Sequence, residues 1–221
     1  MNKHEEHDFD MSLGRLEAFS DGVFSVAVTL LVLTIQVPHR AASATDLLQG
    51  LGGQWPYYLG YFTTFLTVGM VWISHHQMLR YFERVDETIQ ILNLLVLVFI
   101  TLTPFTTGLL AEYIYPAGTG TDRVVVIVFG ANWLLNGLVF GLMWSYAHRN
   151  HFLKPAIGEA RIKSVTRGFT VSAVITIVGL FVGLFNAQIS LLIYLLIAFY
   201  HAAPVLRIFA KPQPRVKTPS P

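Results

Sequence analysis

The chain has 221 residues, of which 53% are hydrophobic and only 13% are charged. A soluble domain carries roughly a quarter charged residues, so this composition favours a protein whose main solvent is lipid. The formal net charge of +2 gives no indication of nucleic-acid binding, and the lack of cysteine excludes disulfides, thiolate metal sites and cysteine nucleophiles.

Six stretches of the chain are long and apolar enough to cross a membrane. The start of the chain is mostly polar and acidic, unlike a cleaved signal peptide, so the first apolar run is predicted to be a retained helix. A helix needs about 20 residues to span a ~30 Å hydrocarbon core. The sequence therefore predicts an all-α integral membrane protein with six transmembrane helices, at residues 13–37, 55–78, 89–110, 124–147, 168–185 and 189–209.

Three regions follow from these helices. Residues 1–12 are predicted to be an N-terminal tail, residues 13–209 a single transmembrane domain, and residues 210–221 a disordered tail rich in proline and basic residues. The segments 38–53 and 115–123 between helices are rich in turn-forming residues, and 148–167 is a polar loop. The fifth and sixth helices are joined only by Asn186-Ala187-Gln188, which predicts a tight hairpin.

The basic residues indicate the orientation of the helices. With six helices, only Arg40 and Arg123 fall on one side of the membrane. Cytoplasmic loops carry an excess of Lys and Arg, so both termini are predicted to face the cytoplasm, in a multi-pass protein of the cell membrane. The thirteen basic residues on the other side are Lys3, Arg15, Arg80, Arg84, Arg149, Lys154, Arg161, Lys163, Arg167, Arg207, Lys211, Arg215 and Lys217.

The first helix carries a carboxylate into the membrane. A charge at mid-membrane costs about 3 kcal/mol on insertion scales, so Asp21 is expected to face protein or water rather than lipid. The inner end of helix 2 should lie at the same depth. We therefore predict a polar cluster near the cytoplasmic side; the alternative is that Asp21 reaches the inner interface alone. The predicted members are Ser20, Asp21, His75, His76 and Asn93, with Arg15 below them.

Two lines of side chains run along helix 1 beyond Asp21. An apolar line recurs at i, i+4, i+7 and i+11, and a line of hydroxyl groups lies beside it. On periodicity alone, a packing seam between helices is favoured over the lining of a pore, because every membrane helix packs against a neighbour. The apolar line consists of Val26, Leu30, Leu33 and Val37, and the hydroxyl line of Ser25 and Thr29.

Two motifs resemble a known family. The run Arg15-x-x-x-Phe19-Ser20-Asp21-x-x-x-Ser25 is similar to the signature that opens the first helix in the transmembrane protein 175 family of lysosomal and bacterial potassium channels. Trp72-x-x-His75-His76, at the inner end of helix 2, also resembles that family. The likeness in helix count, orientation and length covers nearly the whole chain.

The resemblance implies a potassium-preferring, leak-like cation channel. It implies a homotetramer in a lipid bilayer, in which helix 1 lines a central pore for K⁺ ions. The family's constrictions correspond here to Val26, Leu30 and Leu33, where Val26 is smaller than its usual counterpart. Ser25 and Thr29 correspond to positions implicated in potassium preference. Vertebrate members carry two such repeats and form dimers, so a one-repeat chain is expected to form a tetramer.

Other functions are weighed against the channel. A proton-coupled secondary transporter could use Asp21 with His75 and His76, but no pair of broken helices stands out. No Gly-x-Ser-x-Gly or His-Glu-x-x-His motif is present, so an enzyme is not expected. Adjacent helical histidines point about 100° apart, so no metal or other cofactor is predicted there.

Overall fold

The computed structural model describes the backbone of residues 3–38 and 41–210 and the side chains of residues 13–38 and 41–198. Over these residues the chain folds into seven α-helices, one 3₁₀ turn at Leu31–Thr34 and connecting loops. Except for Ala210, which ends the last helix, the predicted C-terminal tail lies outside the described residues. The helices are α1 (Lys3–Leu30), α2 (Ala44–Gly53), α3 (Trp55–Tyr81), α4 (Glu87–Tyr113), α5 (Thr121–Arg149), α6 (Glu159–Gly183) and α7 (Ala187–Ala210).

α4 is the central helix of the bundle. It packs against α1, α3 and α5, while α6 and α7 pack behind α5. Its buried positions include Leu92, Val96 and Ile100, which recur at helical spacing and face the other helices. In a membrane, such contacts stabilise the fold through close packing and interhelical hydrogen bonds, because lipid is as apolar as the side chains.

Four helices among the described residues meet criteria of length and hydropathy for crossing a membrane: Leu13–Thr34, Glu87–Tyr113, Thr121–Arg149 and Glu159–Gly183. α3 is not among them, although it has 27 residues, because it is rich in Tyr and Trp and ends in polar residues that score low on hydropathy scales. The part of α7 that was searched, Ala187–Ala198, is a shorter apolar helix. The prediction of an all-helical membrane protein agrees with this fold.

The first helix differs from its prediction at both ends. α1 begins at Lys3 rather than at residue 13, so residues 3–12, predicted as a tail, are helical. It ends at Leu30, and the 3₁₀ turn and extended backbone at Ile35 follow it. Because Pro38 disfavours α-helical conformation in the residue before it, the chain leaves the helix before Val37. Val37 is therefore not on the helical line predicted from Val26.

Two further boundaries were wrong. Residues 38–53, read as turns, contain α2, whose first turn is capped by Ser43: its Oγ accepts a hydrogen bond from the backbone N–H of Asp46 over 3.1 Å. α6 begins at Glu159, nine residues before the predicted start, because its first turns are polar. Hydropathy detects only the apolar part of such a helix.

The hairpin of α6 and α7 is tight, as predicted, although its linker is residues 184–186 rather than 186–188. Asn186 caps α7, since its Oδ1 accepts a hydrogen bond from the backbone N–H of Ile189 over 3.0 Å. Farther along, the Oγ of Ser190 donates to the carbonyl of Gly179 over 2.7 Å. Gly179 also leaves room for the ring of Tyr194, which a Cβ there would meet. The small residues of α6 therefore allow close packing of α7 within the subunit.

Candidate functional site

The two faces of α1 have opposite environments. Ser20, Phe24, Ala27 and Leu31 follow one another at intervals of four, three and four residues, and each is at most 2% exposed. These residues form the face that packs on α3 and α4. The other face projects away from the subunit.

The predicted constriction residues all lie on this projecting face. Val26 is 56% exposed, Leu30 43% and Leu33 72%. The described side chains of the subunit do not cover them, as they would cover the residues of a packing seam within the subunit. Exposure of apolar side chains over several turns means that this face meets lipid, another copy of the chain or an ion pathway.

The hydroxyl groups of the line beside them also face outward. Ser25 and Thr29 are exposed. The Oγ1 of Thr29 donates a hydrogen bond to the carbonyl of Val26 over 2.9 Å. Since the hydroxyl hydrogen is used within the helix, the oxygen presents its lone pairs outward. This orientation suits an acceptor for water hydrogens or a ligand for a cation.

A groove separates the end of α1 from α4. It is lined on one side by Leu30, Leu33 and Thr34 and on the other by the part of α4 around Pro104 and Gly108. The close approach at its base needs a small residue, because a Cβ on Gly108 would lie 3.3 Å from the Cγ2 of Thr34. Among the described residues, the groove leaves one flank of Leu30 and Leu33 without a packing partner.

The opposite face of α1 is anchored by a buried chain of hydrogen bonds. Nε2 of His75 lies 2.7 Å from Oδ1 of Asn93, Nδ2 of Asn93 donates to Oγ of Ser20 over 2.9 Å, and that Oγ donates to the carbonyl of Leu16 over 2.8 Å. His75, Asn93 and Ser20 are each 0% exposed. Because Nδ2 of Asn93 must be the donor to Ser20, its Oδ1 is the acceptor, and Nε2 of His75 carries the hydrogen.

The charged residues nearby form a second, more exposed group. Nε1 of Trp72 donates to Oδ1 of Asp21 over 2.7 Å. Nδ1 of His76 lies 2.7 Å from Oε1 of Glu17, which makes an ion pair when His76 is protonated. The indole also lies beside the imidazole of His76, with ring centroids 6.0 Å apart.

The predicted polar cluster is thus two groups rather than one. His75, Asn93 and Ser20 come together in the core, whereas Asp21 and His76 lie on the neighbouring surface with Trp72 and Glu17. Asp21 touches neither histidine through a hydrogen bond in the part of the chain that the structure describes.

Two residues of the predicted set take no part in either group. Arg15 is exposed and forms no ion pair with the described residues, and Phe19 is 55% exposed on the projecting face. Glu17 was not among the predicted residues. The sequence did contain a signal for it, because Glu17 lies four residues before Asp21 and therefore on the same side of the helix.

No metal site is apparent within the described residues, where no three His, Asp or Glu side chains converge. The projecting face contains only aliphatic and hydroxyl side chains between Gly22 and Leu33. Among the described residues, that face offers no general base to activate its hydroxyl groups. What it can supply is a surface of aliphatic side chains and hydroxyl oxygens.

Comparisons with known proteins agree on one family. The family described as "Endosomal/lysosomal potassium channel TMEM175" matches residues 15–104, the region that contains both predicted motifs. A protein of Streptomyces collinus named as a potassium channel is 34% identical over 189 residues, which cover 85% of this chain and 90% of that protein. A potassium channel of Chamaesiphon minutus is 32% identical over 192 residues, covering 86% and 93%.

A solved structure has the same fold. It is the crystal structure of a homologue of the lysosomal potassium-selective channel TMEM175 from Chamaesiphon minutus. The TM-score is 0.78 at 30% sequence identity, and the superposition covers 88% of this chain and 98% of that one. The likeness therefore extends over nearly the full length of both.

Proposed function

Because this chain belongs to the TMEM175 family of ion channels and is not an enzyme, we propose that it is a potassium channel whose pore is formed by the projecting faces of α1. Its nearly full-length similarity to two proteins named as potassium channels supports the activity. The projecting face of α1, with Val26, Leu30 and Leu33 uncovered in the single subunit, supports the location of the pore.

The proposed assembly is a homotetramer. A single α1 cannot enclose a pathway, so several copies must contribute one face each. Four copies around an axis would place rings of Val26, Leu30 and Leu33 along the pore, with Ser25 and Thr29 between them. The unpartnered groove beside Leu30 and Leu33 leaves room for a neighbouring copy. Six spans per subunit, including α3 and α7, would bring both termini to the cytoplasmic face of the cell membrane.

Such a pore selects ions by a different route from carbonyl filters. Aliphatic rings offer no ligands, so an ion must carry its water through a widened ring or lose part of it. Na⁺ holds its water more tightly than K⁺ and is expected to pass more slowly. The hydroxyl oxygen of Thr29, with its hydrogen bound to Val26, can replace one water ligand and reinforce the preference for K⁺.

The geometry favours the channel over the proton-coupled transporter. In the transporter, Asp21 would relay protons with His75 and His76. However, His75 is hydrogen-bonded to Asn93, His76 lies against Glu17, and Asp21 accepts from Trp72. The buried chain of hydrogen bonds ends on a backbone carbonyl, which cannot accept a proton for transport. Its arrangement suits an anchor that fixes the rotation of α1.

Selectivity gives a direct test of the proposed pore. Purified protein in liposomes is expected to conduct K⁺ faster than Na⁺ in a flux assay, and Thr29→Val is expected to lower the K⁺/Na⁺ ratio by roughly threefold. A factor of three corresponds to about 0.7 kcal/mol, within the range of one hydrogen bond to a hydroxyl.

Thr101 provides a matched control for that substitution. It is an exposed threonine on α4 whose Oγ1 donates to the carbonyl of Val98 over 2.8 Å, the same local geometry as Thr29. Thr101→Val should leave the ratio unchanged. Equal K⁺ and Na⁺ rates in the unmodified protein would contradict the selectivity, and an equal effect of the two substitutions would contradict the role of Thr29.

A further inference from the structure

Two loops at one end of the bundle are joined by a short β-bridge. The bridge pairs Phe82, just after α3, with Leu153, between α5 and α6. The backbone N–H of Glu83 donates to the carbonyl of Phe152 over 2.7 Å, and the N–H of Lys154 donates to the carbonyl of Tyr81 over 2.9 Å. Because side chains alternate along paired strands, Tyr81, Glu83, Phe152 and Lys154 share one face of this bridge.

The end of α5 fixes the second loop. The backbone N–H of Phe152 reaches the carbonyl of Ala147 over 2.8 Å, and His151 has a φ of 56°. This is a Schellman-type helix end, in which one residue adopts the left-handed conformation. The ring of Phe152 then packs edge-on against Tyr146, with centroids 6.0 Å apart. These contacts hold the loop in one defined conformation.

Two arginines are held on the aromatic rings of the bridge. The guanidinium carbon of Arg84 lies 4.5 Å from the centre of the Phe152 ring. Arg161 donates from Nε and Nη2 to the hydroxyl of Tyr81 over 3.1 and 2.9 Å. Lys154 belongs to the bridge itself and is exposed. The bridge therefore gathers two guanidinium groups oriented by aromatic contacts and the exposed side chain of Lys154.

These cations lack acidic partners. Within the described residues, Arg84, Lys154 and Arg161 form no ion pair, whereas Lys163 pairs with Glu159 over 3.3 Å. Glu83 is the acidic residue on the same face of the bridge, so the local charge remains positive. Arg84 donates from Nη2 to the carbonyl of Asn150 over 3.5 Å, and Arg161 uses Nε and Nη2 for Tyr81, so each guanidinium keeps the hydrogens of Nη1 for a second ligand. Such N–H groups suit the oxygens of a phosphate.

We propose that Arg84, Arg161 and Lys154, arranged around the bridge of Phe82 and Leu153, bind the phosphate of an anionic lipid headgroup. The site lies where α3 and α5 end and α6 begins, which places it at the membrane surface if these helices span as proposed. Basic groups at that depth attract anionic lipids.

Binding to short-chain lipids tests the site in the full-length protein. In detergent solution, dioctanoyl phosphatidylglycerol is expected to bind more tightly than dioctanoyl phosphatidylcholine, as measured by native mass spectrometry and by the rise in melting temperature. The double variant Arg84→Gln/Arg161→Gln is expected to lower the affinity for phosphatidylglycerol about tenfold. Lys154→Gln, whose side chain supports no described contact, is expected to lower it about threefold and tests the site even if the double variant fails to fold.

Arg167→Gln is the matched control, because Arg167 is exposed at the same end of the bundle but lies outside the bridge. It should bind phosphatidylglycerol as the unmodified protein does. An equal loss in Arg167→Gln would overturn the site in favour of a diffuse basic surface. Unchanged affinity in both Arg84→Gln/Arg161→Gln and Lys154→Gln would also overturn it. Inorganic phosphate should compete only weakly; competition as strong as the lipid's would identify a soluble phosphate as the ligand.

Discussion

Replacing Leu30 by asparagine is expected to raise potassium flux about tenfold. In the proposed tetramer, four Leu30 side chains form a ring with no polar group, and such a ring excludes water when it is narrow. Four amides would supply donors and acceptors for water and would keep the ring wet. Lowering the barrier by about 1.4 kcal/mol is enough for a factor of ten. The measurement is the K⁺ flux per protein in liposomes.

Leu102 is the control for this change. It lies on α4 and is 44% exposed, against 43% for Leu30, so Leu102→Asn introduces the same amide at a similarly exposed position outside the proposed pore. Its flux should equal that of the unmodified protein. If Leu30→Asn conducts no faster, or if Leu102→Asn gains as much, Leu30 does not line the constriction.

Replacing Asn93 by alanine is expected to destabilise the folded protein by about 2–4 kcal/mol. The substitution leaves two buried polar groups without their partners, Nε2 of His75 and the lone pair of Ser20. Each unsatisfied buried group costs roughly 1–3 kcal/mol, although hydrogen bonds between membrane helices often measure at the lower end. Since Ser20 lies on α1, the loss should also loosen the proposed pore helix. Thermal unfolding in detergent measures the first effect and K⁺ flux the second.

Asn136 separates this effect from the general cost of removing an amide. It is also buried, and its Nδ2 donates to the carbonyl of Val96 over 3.1 Å. That carbonyl is a backbone group of α4, so Asn136→Ala leaves no side chain stranded. We expect Asn136→Ala to cost less than half as much stability and to leave ion flux unchanged. Equal losses in the two variants would mean that the chain from His75 to Ser20 has no special role.

The sequence predicted the helices best where they are apolar throughout. α4 was placed within three residues at each end, because its apolar run and its length coincide. The start of α6 was missed because its first turns are polar, and hydropathy does not distinguish a polar helix from a loop. α2 carried a local signal that was not used: a serine at position 43 followed three residues later by an aspartate.

The sequence predicted that Ser20, Asn93 and His75 lie together, but not how the polar residues pair. The positions of Ser20, Asn93 and His75 along their helices were enough to predict that they lie at the same depth in the membrane. Which of the two adjacent histidines faces the core depends on the rotation of α3. His75 packs against Phe24 with ring centroids 5.3 Å apart, and His76 points to the surface. Helix rotation follows from packing against several neighbours, which one helix's own sequence does not specify.

The outward exposure of the α1 line could not be predicted from its periodicity either. Val26, Leu30 and Leu33 would repeat in the same way if they packed against α4 within the subunit. The resemblance to a channel family favoured the pore, and the uncovered face leaves the line free to meet other copies. Whether this line of side chains faces lipid or a pore depends on how the subunits assemble.

The most direct test of the pore uses one introduced thiol. The chain contains no cysteine, so Val26→Cys carries the only thiol in the protein. Silver ions are small monovalent cations that bind thiolates and can follow the path of K⁺. Val26→Cys channels in liposomes should lose K⁺ flux on addition of silver, whereas Leu142→Cys, on α5 and equally exposed at 56%, should keep it. Continued flux through Val26→Cys after silver has bound would contradict a pore lined by α1.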